Sequence, residues 1–285
     1  MGLEHLEEKT AVVTGGASGI GLALGTAFAA EGMNVVLADI EAGALDAAAA
    51  EVGAAGPGEV RTVVCDVAVA GDVERLRDET VEAFGTAHVV CNNAGVGGGG
   101  PSWEVSLATW NWVLGVNLMG VVHGIHAFVP LLLEQNEGHV VNTASAAGLL
   151  SVPYMGPYTA SKHAVVTITE GLAFELELAG SAVGASVLCP MWVRTRIHES
   201  HRNAPRDVVG FGARDVASEA GAAMSDTVAG LVASGMDPAI VAGQVVEAVK
   251  KGRFYVLPHD EVRQGVLNRA QRIAAGEPPQ LTFGR

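Results

Sequence analysis

A glycine-rich join near the start of the chain limits its folding more than any other feature. Residues 9–14 (KTAVVT) form a short β-branched run that stops at Gly15, and after Gly16-Ala17-Ser18-Gly19-Ile20-Gly21 the apolar residues of 22–31 recur at helical spacing. A strand that turns at once into a helix predicts a βα unit. Glycines at 15, 19 and 21 allow the tight turn, let the helix pack closely on the strand, and leave room for a pyrophosphate at the free N–H groups of the helix N-terminus. The three-residue gap between Gly15 and Gly19 departs from GxGxxG spacing, and a tight turn without a ligand fits the same residues.

The next run, 34–38 (NVVLA), reads as a second strand ending on Asp39, eighteen residues beyond Gly21. A dinucleotide fold places an acid there, against the adenosine ribose; the alternative is that Asp39 caps the Ala-rich helix that follows. Residues 60–65 are a third strand closed by Asp66-Val67, whose carboxylate either accepts from an adenine amino group or caps the next turn, and 69–84 has the period of an amphipathic helix. A fourth strand, 88–91, runs into Asn92-Asn93-Ala94-Gly95-Val96 and four further glycines. Such a loop is costly in entropy unless something needs close backbone approach; a flexible surface loop is the bland alternative.

Residues 107–134 form a long helix, apolar on more than one face and so buried by the sheet or by a second subunit. Asn117 stands in its middle, either bonding locally to backbone or serving a site. A fifth strand, 139–143 (HVVNT), delivers Ser145 just past its end, where open parallel sheets bind ligands, although a lone Ser there is more often a turn former. Thirteen residues on comes Tyr158, with Lys162 four later, so that on a helix over 157–179 the two share a face. A phenol beside an ammonium is a proton-transfer pair, since positive charge favours the phenolate. A sixth strand, 185–189, ends in Pro190-Met191-Trp192-Val193-Arg194-Thr195, and residues 196–226, without a clean period, belong to a substrate loop over about 191–226. Asp237-Pro238 open a helix to 251, 253–257 is a seventh strand, and a last helix and tail occupy about 260–285.

Composition narrows the function. With 49% hydrophobic and 17% charged residues the chain is too apolar for disorder and suits a sheet buried on both faces. A net charge of -14 argues against nucleic acid or an anionic membrane as partner. Cys65, Cys91 and Cys189 lack CxxC spacing and read as small buried hydrophobes, with no metal expected. The N-terminus has no apolar stretch after basic residues, and no later apolar run reaches spanning length uninterrupted, so a soluble cytoplasmic protein is expected.

In their order and spacing, Thr14-Gly15-x-x-x-Gly19-x-Gly21, Asp66, Asn92-Asn93-Ala94-Gly95, Asn117, Ser145, Tyr158-x-x-x-Lys162 and Pro190…Thr195 closely resemble the short-chain dehydrogenase/reductase family over roughly residues 9–260. The resemblance implies one doubly wound Rossmann-type α/β domain over 1–285, about seven parallel strands flanked by helices on both faces, often assembled as a homotetramer. It implies an Asn-Ser-Tyr-Lys tetrad carried by Asn117, Ser145, Tyr158 and Lys162. A nicotinamide cofactor would be held by Gly15, Ser18, Gly19, Ile20 and Gly21, by Asp39, Asp66 and Val67, and by Asn93, Gly95, Tyr158, Lys162, Val193 and Thr195. In that scheme Tyr158 exchanges the proton of a secondary alcohol and Ser145 holds the substrate oxygen. Lys162 binds the nicotinamide ribose and depresses the Tyr158 pKa, and Asn117 holds a water on the way to solvent. One departure stands out: Pro190 is followed by Met191 and Trp192, where the family usually has Pro-Gly, and these side chains narrow the space beside the nicotinamide.

The expected cofactor is NAD. Asp39 can accept from both ribose hydroxyls, whereas the 2′-phosphate of NADP would bring like charge against it, and neither the glycine turn nor Ile40-Glu41 offers a cation. Val96, Leu149, Val152, Met155, Trp192 and the stretch around Phe211 are the candidate substrate contacts, an apolar set that suggests a hydrophobic or alicyclic alcohol. The rival readings are an NADPH-dependent carbonyl reductase, a catalytically silent dinucleotide-sensing protein of the same fold, and a sugar-nucleotide epimerase, for which too little chain follows residue 260.

Overall fold

β1 (Thr10–Thr14) leads through the glycine turn into α1 (Gly19–Ala30), and the strand-then-helix step repeats in β2 (Asn34–Asp39) with α2 (Ala42–Gly53) and β3 (Val60–Val64) with α3 (Ala70–Phe84). After β4 (Val89–Asn92) and the glycine loop come α4 (Leu107–Leu114), a π-helical turn (Gly115–Met119) and α5 (Gly120–Gln135), running on as one helix. β5 (His139–Thr143), α6 (Gly156–Leu178) and β6 (Gly184–Leu188) follow, then a 3-10 helix (Ile197–Asn203), α7 (Glu219–Ala233), α8 (Pro238–Lys251), β7 (Tyr255–Val256) and α9 (Glu261–Ala274). The computed structural model describes residues 2–206, 208 and 219–281.

All strand pairs are parallel, in the order β3-β2-β1-β4-β5-β6-β7. The chain therefore winds outward one way from β1 and the other way from β4, and the crevice between their carboxyl ends is the switch point where such sheets take ligands. Strand alternation sorts the core into two layers. Val13, Leu37 and Cys91 face one way, with Leu24, Phe28 and Val245. Val12, Val36, Val90 and Val140 face the other, with Leu76, Phe128 and Leu172. With both faces covered, β1, β5 and β6 are buried at every position.

Three expectations are corrected. The seventh strand is the two-residue pair Tyr255–Val256 rather than 253–257. The stretch 196–226 holds the 3-10 helix and the start of α7; the Ala- and Gly-rich sequence of α7 blurs its period, and among its described side chains Val228 and Val232, one turn apart, are buried. The long helix is α-helical only outside its π turn, where the Gly120 N–H bonds the Gly115 carbonyl five residues back. By length and composition Leu107–Gln135 is apolar enough to cross a membrane. Here Val121, Phe128 and Leu132 bury it against the rest of the fold.

A polar ladder crosses this core. Asn92 Nδ2 donates to Asn142 Oδ1 at 2.8 Å, and Asn142 Nδ2 to Thr169 Oγ1 at 3.0 Å, tying β4 to β5 and β5 to α6 with each of the three side chains buried. Satisfied pairs of this kind avoid the penalty of an unbonded buried amide.

Candidate active site

The carboxyl ends of β1, β4 and β5 are laced together by side chains. Thr14 Oγ1 accepts from the Asn93 and Ala94 N–H groups at 2.9 and 3.1 Å, Asn93 Nδ2 donates to the Thr14 carbonyl at 3.0 Å, and Thr143 Oγ1 donates to Asn93 Oδ1 at 3.2 Å. This leaves the glycine turn facing the crevice. Gly15 has φ +65°, and a Cβ on Gly21 would lie 1.9 Å from the Gly15 carbonyl oxygen, so the turn closes only with glycine at 21. Ser18 is the N-cap of α1 but makes no side-chain cap bond, which leaves first-turn N–H groups open beside Gly19 and Ile20 in the cleft wall. An uncapped helix N-terminus behind glycines fits a pyrophosphate. Thr195 packs against the same turn, its Cγ2 3.0 Å from where a Gly19 Cβ would stand, and Val193 pairs with Met236.

Asp39, Asp66 and Val67 line the other end of the cleft. Asp39 accepts from the Ala17 and Glu41 N–H groups, both at 3.1 Å, and the N-cap of α2 is Glu41, so Asp39 braces the glycine turn rather than capping the helix. Asp66 accepts from the Ala68 N–H at 2.9 Å, closing its own turn while facing the cleft. The expectation that no cation stands near Asp39 is corrected. Arg202, from the 3-10 helix, brings its Nε to 2.8 Å from Glu41 Oε1, a contact across 161 positions that local sequence cannot reveal.

At the opposite end the π turn swings Asn117 inward, fully buried. Its Oδ1 accepts from the Val96 N–H at 2.8 Å, and its Nδ2 donates to the Val96 carbonyl at 3.0 Å and to Ser161 Oγ at 3.2 Å. Asn117 thus pins the glycine loop. A Cβ on Gly95 would come 3.4 Å from Asn117 Oδ1 and 3.5 Å from Lys162 Nζ, so the glycine loop passes beside both side chains. Ser145 caps the short 3-10 turn Ala146–Gly148 through the Ala147 N–H at 3.1 Å and donates to the Pro190 carbonyl at 3.3 Å. Tyr158 lines the same cleft as Ser145.

Lys162 Nζ donates to the Thr143 carbonyl at 2.8 Å and lies 5.7 Å from the Tyr158 ring centre. Burial pulls its pKa down from 10.5 to about 8. Burial also pushes the Tyr158 phenol above its ordinary value, and the nearby Ser145 hydroxyl only partly opposes this. The expected depression of the phenol is therefore corrected: in the protein alone burial leaves Tyr158 above its ordinary value. Both groups sit where burial disfavours charge, as proton-transfer groups in clefts often do.

The cleft as a whole, from the glycine turn and Asp39 to Trp192, encloses about 360 Å³, within the usual range for small-molecule sites. Val96, Val152, Met155 and Trp192 line it as expected. Leu149 does not: it follows the 3-10 turn, bonds the Ala146 carbonyl through its N–H, and packs toward Val121, Val165 and Val187 instead. Phe211 lies outside the described residues. Sequence reading missed Trp112, Val116, His198, Val228 and Val232. Trp112 and Val116 stand one helical turn apart just before Asn117, a spacing that could have flagged them. The Met191 N–H donates to His259 Nδ1 at 3.2 Å, which anchors the backbone after Pro190 while Met191 itself lines the cleft. The three cysteines are buried, with Cys65 and Cys189 pushed up to about 12 by desolvation, and so are unreactive.

Residues 9–206 match the profile of the short chain dehydrogenase family. A short-chain dehydrogenase/reductase from Burkholderia phymatum, solved in complex with NAD, is 42% identical and superposes with a TM-score of 0.94, covering 99% of this chain and 100% of that one. The 1-deoxy-11-beta-hydroxypentalenate dehydrogenase of Streptomyces exfoliatus is 38% identical over 91% of this chain and 86% of its own. The C alpha-dehydrogenase of a Sphingobium species is 30% identical over 97% of this chain and 89% of its own.

Proposed function

Because this chain belongs to the short-chain dehydrogenase/reductase family, we propose that it is an NAD-dependent oxidoreductase interconverting a secondary alcohol and its ketone. The observation that carries the reading is convergence: Tyr158, Ser145 and Lys162 line the same cleft as the uncapped N-terminus of α1. Bound nicotinamide would supply the hydride acceptor and, when oxidised, a positive charge near the phenol. In the oxidation direction the Tyr158 phenolate takes the hydroxyl proton as hydride leaves the carbinol carbon. Ser145 steadies the substrate oxygen. Lys162 keeps a positive charge within reach of the phenol, and Asn117 holds the loop against which the reacting groups are aligned. Reduction runs the same steps in reverse.

The apolar lining favours a hydrophobic or alicyclic alcohol, a reading supported by relatives named as dehydrogenases of hydroxylated compounds. A screen of secondary alcohols, followed by absorbance of the reduced cofactor, tests the reaction; no hydride transfer with any of them would favour a silent dinucleotide-binding protein. NAD is expected to bind roughly 10²-fold more tightly than NADP, because Asp39 accepts from ribose hydroxyls and repels a phosphate. Asp39→Ala should narrow that gap in paired titrations. Equal binding of the two by the wild type would leave Asp39 a turn-bracing residue only.

The protein is soluble and cytoplasmic on this reading, and it is a homo-oligomer, most simply a tetramer. Phe174 and Leu178 on α6 are 64% and 87% exposed, and Met119 and Leu133 on the long helix are also exposed. Apolar surface of this kind on two neighbouring helices suits a two-fold contact. Light scattering at micromolar concentration should give a multiple of the chain mass, and a monomer would refute the assembly.

A further inference from the structure

The Glu41–Arg202 contact sits at the adenosine end of the cleft, and both residues line it beside Asp39. It differs from an ordinary surface pair. Asn203 Nδ2 donates to the same Glu41 oxygen at 2.9 Å, and the two charged side chains are only 25% and 27% exposed. Burial alone would raise the Glu41 pKa, but the Asn203 and Arg202 hydrogen bonds and the Arg202 charge together hold it below the usual carboxylate value. Arg202 is also set from behind: its Nη1 donates to the Arg196 and Glu199 carbonyls, both at 3.1 Å. The 3-10 helix that carries it is tied to the glycine loop, where the Gly97 N–H donates to Ser200 Oγ at 2.8 Å. A guanidinium is thus held in place at the ribose end and occupied by a carboxylate.

We propose, resting on the NAD reading above, that Glu41 sets cofactor choice by masking Arg202: the pair denies the guanidinium to a ribose 2′-phosphate, and loss of the carboxylate turns Arg202 into a phosphate receptor. A guanidinium matches phosphate and carboxylate oxygens through the same planar donors, so one partner displaces the other. A half-buried cation stripped of its partner gains most from a new anion. Asp39 stays in place in every variant, so its repulsion cancels from the comparison.

The test is calorimetric titration of NAD and NADP against the full chain as wild type, Glu41→Gln, Glu41→Ala, Arg202→Met and Glu41→Ala/Arg202→Met, read as the ratio of the two Kd values. Glu41→Ala should shift the ratio toward NADP by roughly tenfold or more, with Glu41→Gln showing a smaller shift because its amide oxygen still accepts from Arg202. In the Arg202→Met background the shift should vanish. A shift that survives there means the carboxylate acts by plain repulsion and overturns the proposal, as does no shift in Glu41→Ala. Failure of the NAD reading shows separately, as a wild type that already binds NADP as tightly as NAD.

Discussion

Tyr158→Phe is expected to lower turnover by roughly 10³-fold or more, within the range a positioned proton-transfer group contributes. The substitution removes one oxygen and keeps the ring, which packs against Val113, Ala147 and Met155, so the cavity wall should survive. Ser145 retains its bonds to Ala147 and Pro190. Cofactor affinity should therefore change little while the chemical step collapses. Single-turnover kinetics beside a binding titration separates the two, and near-normal turnover would remove Tyr158 from the mechanism.

Lys162→Met should lose turnover and gain stability together. At neutral pH the folded protein keeps an ammonium that is 3% exposed and whose pKa burial has lowered from 10.5 to about 8. That difference corresponds to roughly 3 kcal/mol against folding. Losing the bond to the Thr143 carbonyl returns about 1 kcal/mol of it. The net gain of about 2 kcal/mol should raise the melting temperature by roughly 4–8 °C. Between pH 8 and 10.5 the unfolded chain binds a proton that the folded protein has released, so wild-type stability climbs relative to the variant. The advantage of Lys162→Met is therefore greatest below pH 8 and fades above it. Melting curves across that window test this, and a variant less stable at pH 7 would show that the Thr143 contact outweighs the desolvation.

The parallel sheet and the placing of Ser145, Tyr158 and Lys162 in one cleft were legible because their signals are local: β-branched runs ending at Gly15, Asp39, Asp66 and Ser145, and a Tyr–Lys pair one helical turn apart. What escaped depends on distance in the chain or on weak contrast. Arg202 reaches Glu41 only once the segment after β6 has folded back over the cleft. In α7, alanines and glycines are apolar and small on every side, so no stripe declares itself. Leu149 follows the turn that Ser145 caps, and sequence proximity suggested the cleft, but the turn directs it to the cluster beside Val165. The phenol's raised pKa was equally out of reach, since spacing shows the neighbouring cation and not the depth at which both are buried.

The π turn at Gly115–Met119 amounts to one residue more than an α-helix would use over the same rise. Each residue of an α-helix turns the chain by about 100°. A single deletion within residues 115–119, Asn117 itself apart, would let the helix run on as α with α4 and α5 still in step, because the extra residue is what the wide turn absorbs. The side chains inside the turn would not keep their places, and closing it would shift Asn117 relative to Val96 and Ser161. Asn117 thus owes its position to chain length as much as to its own identity, and a change in length there would disable it while leaving every side chain of the tetrad present.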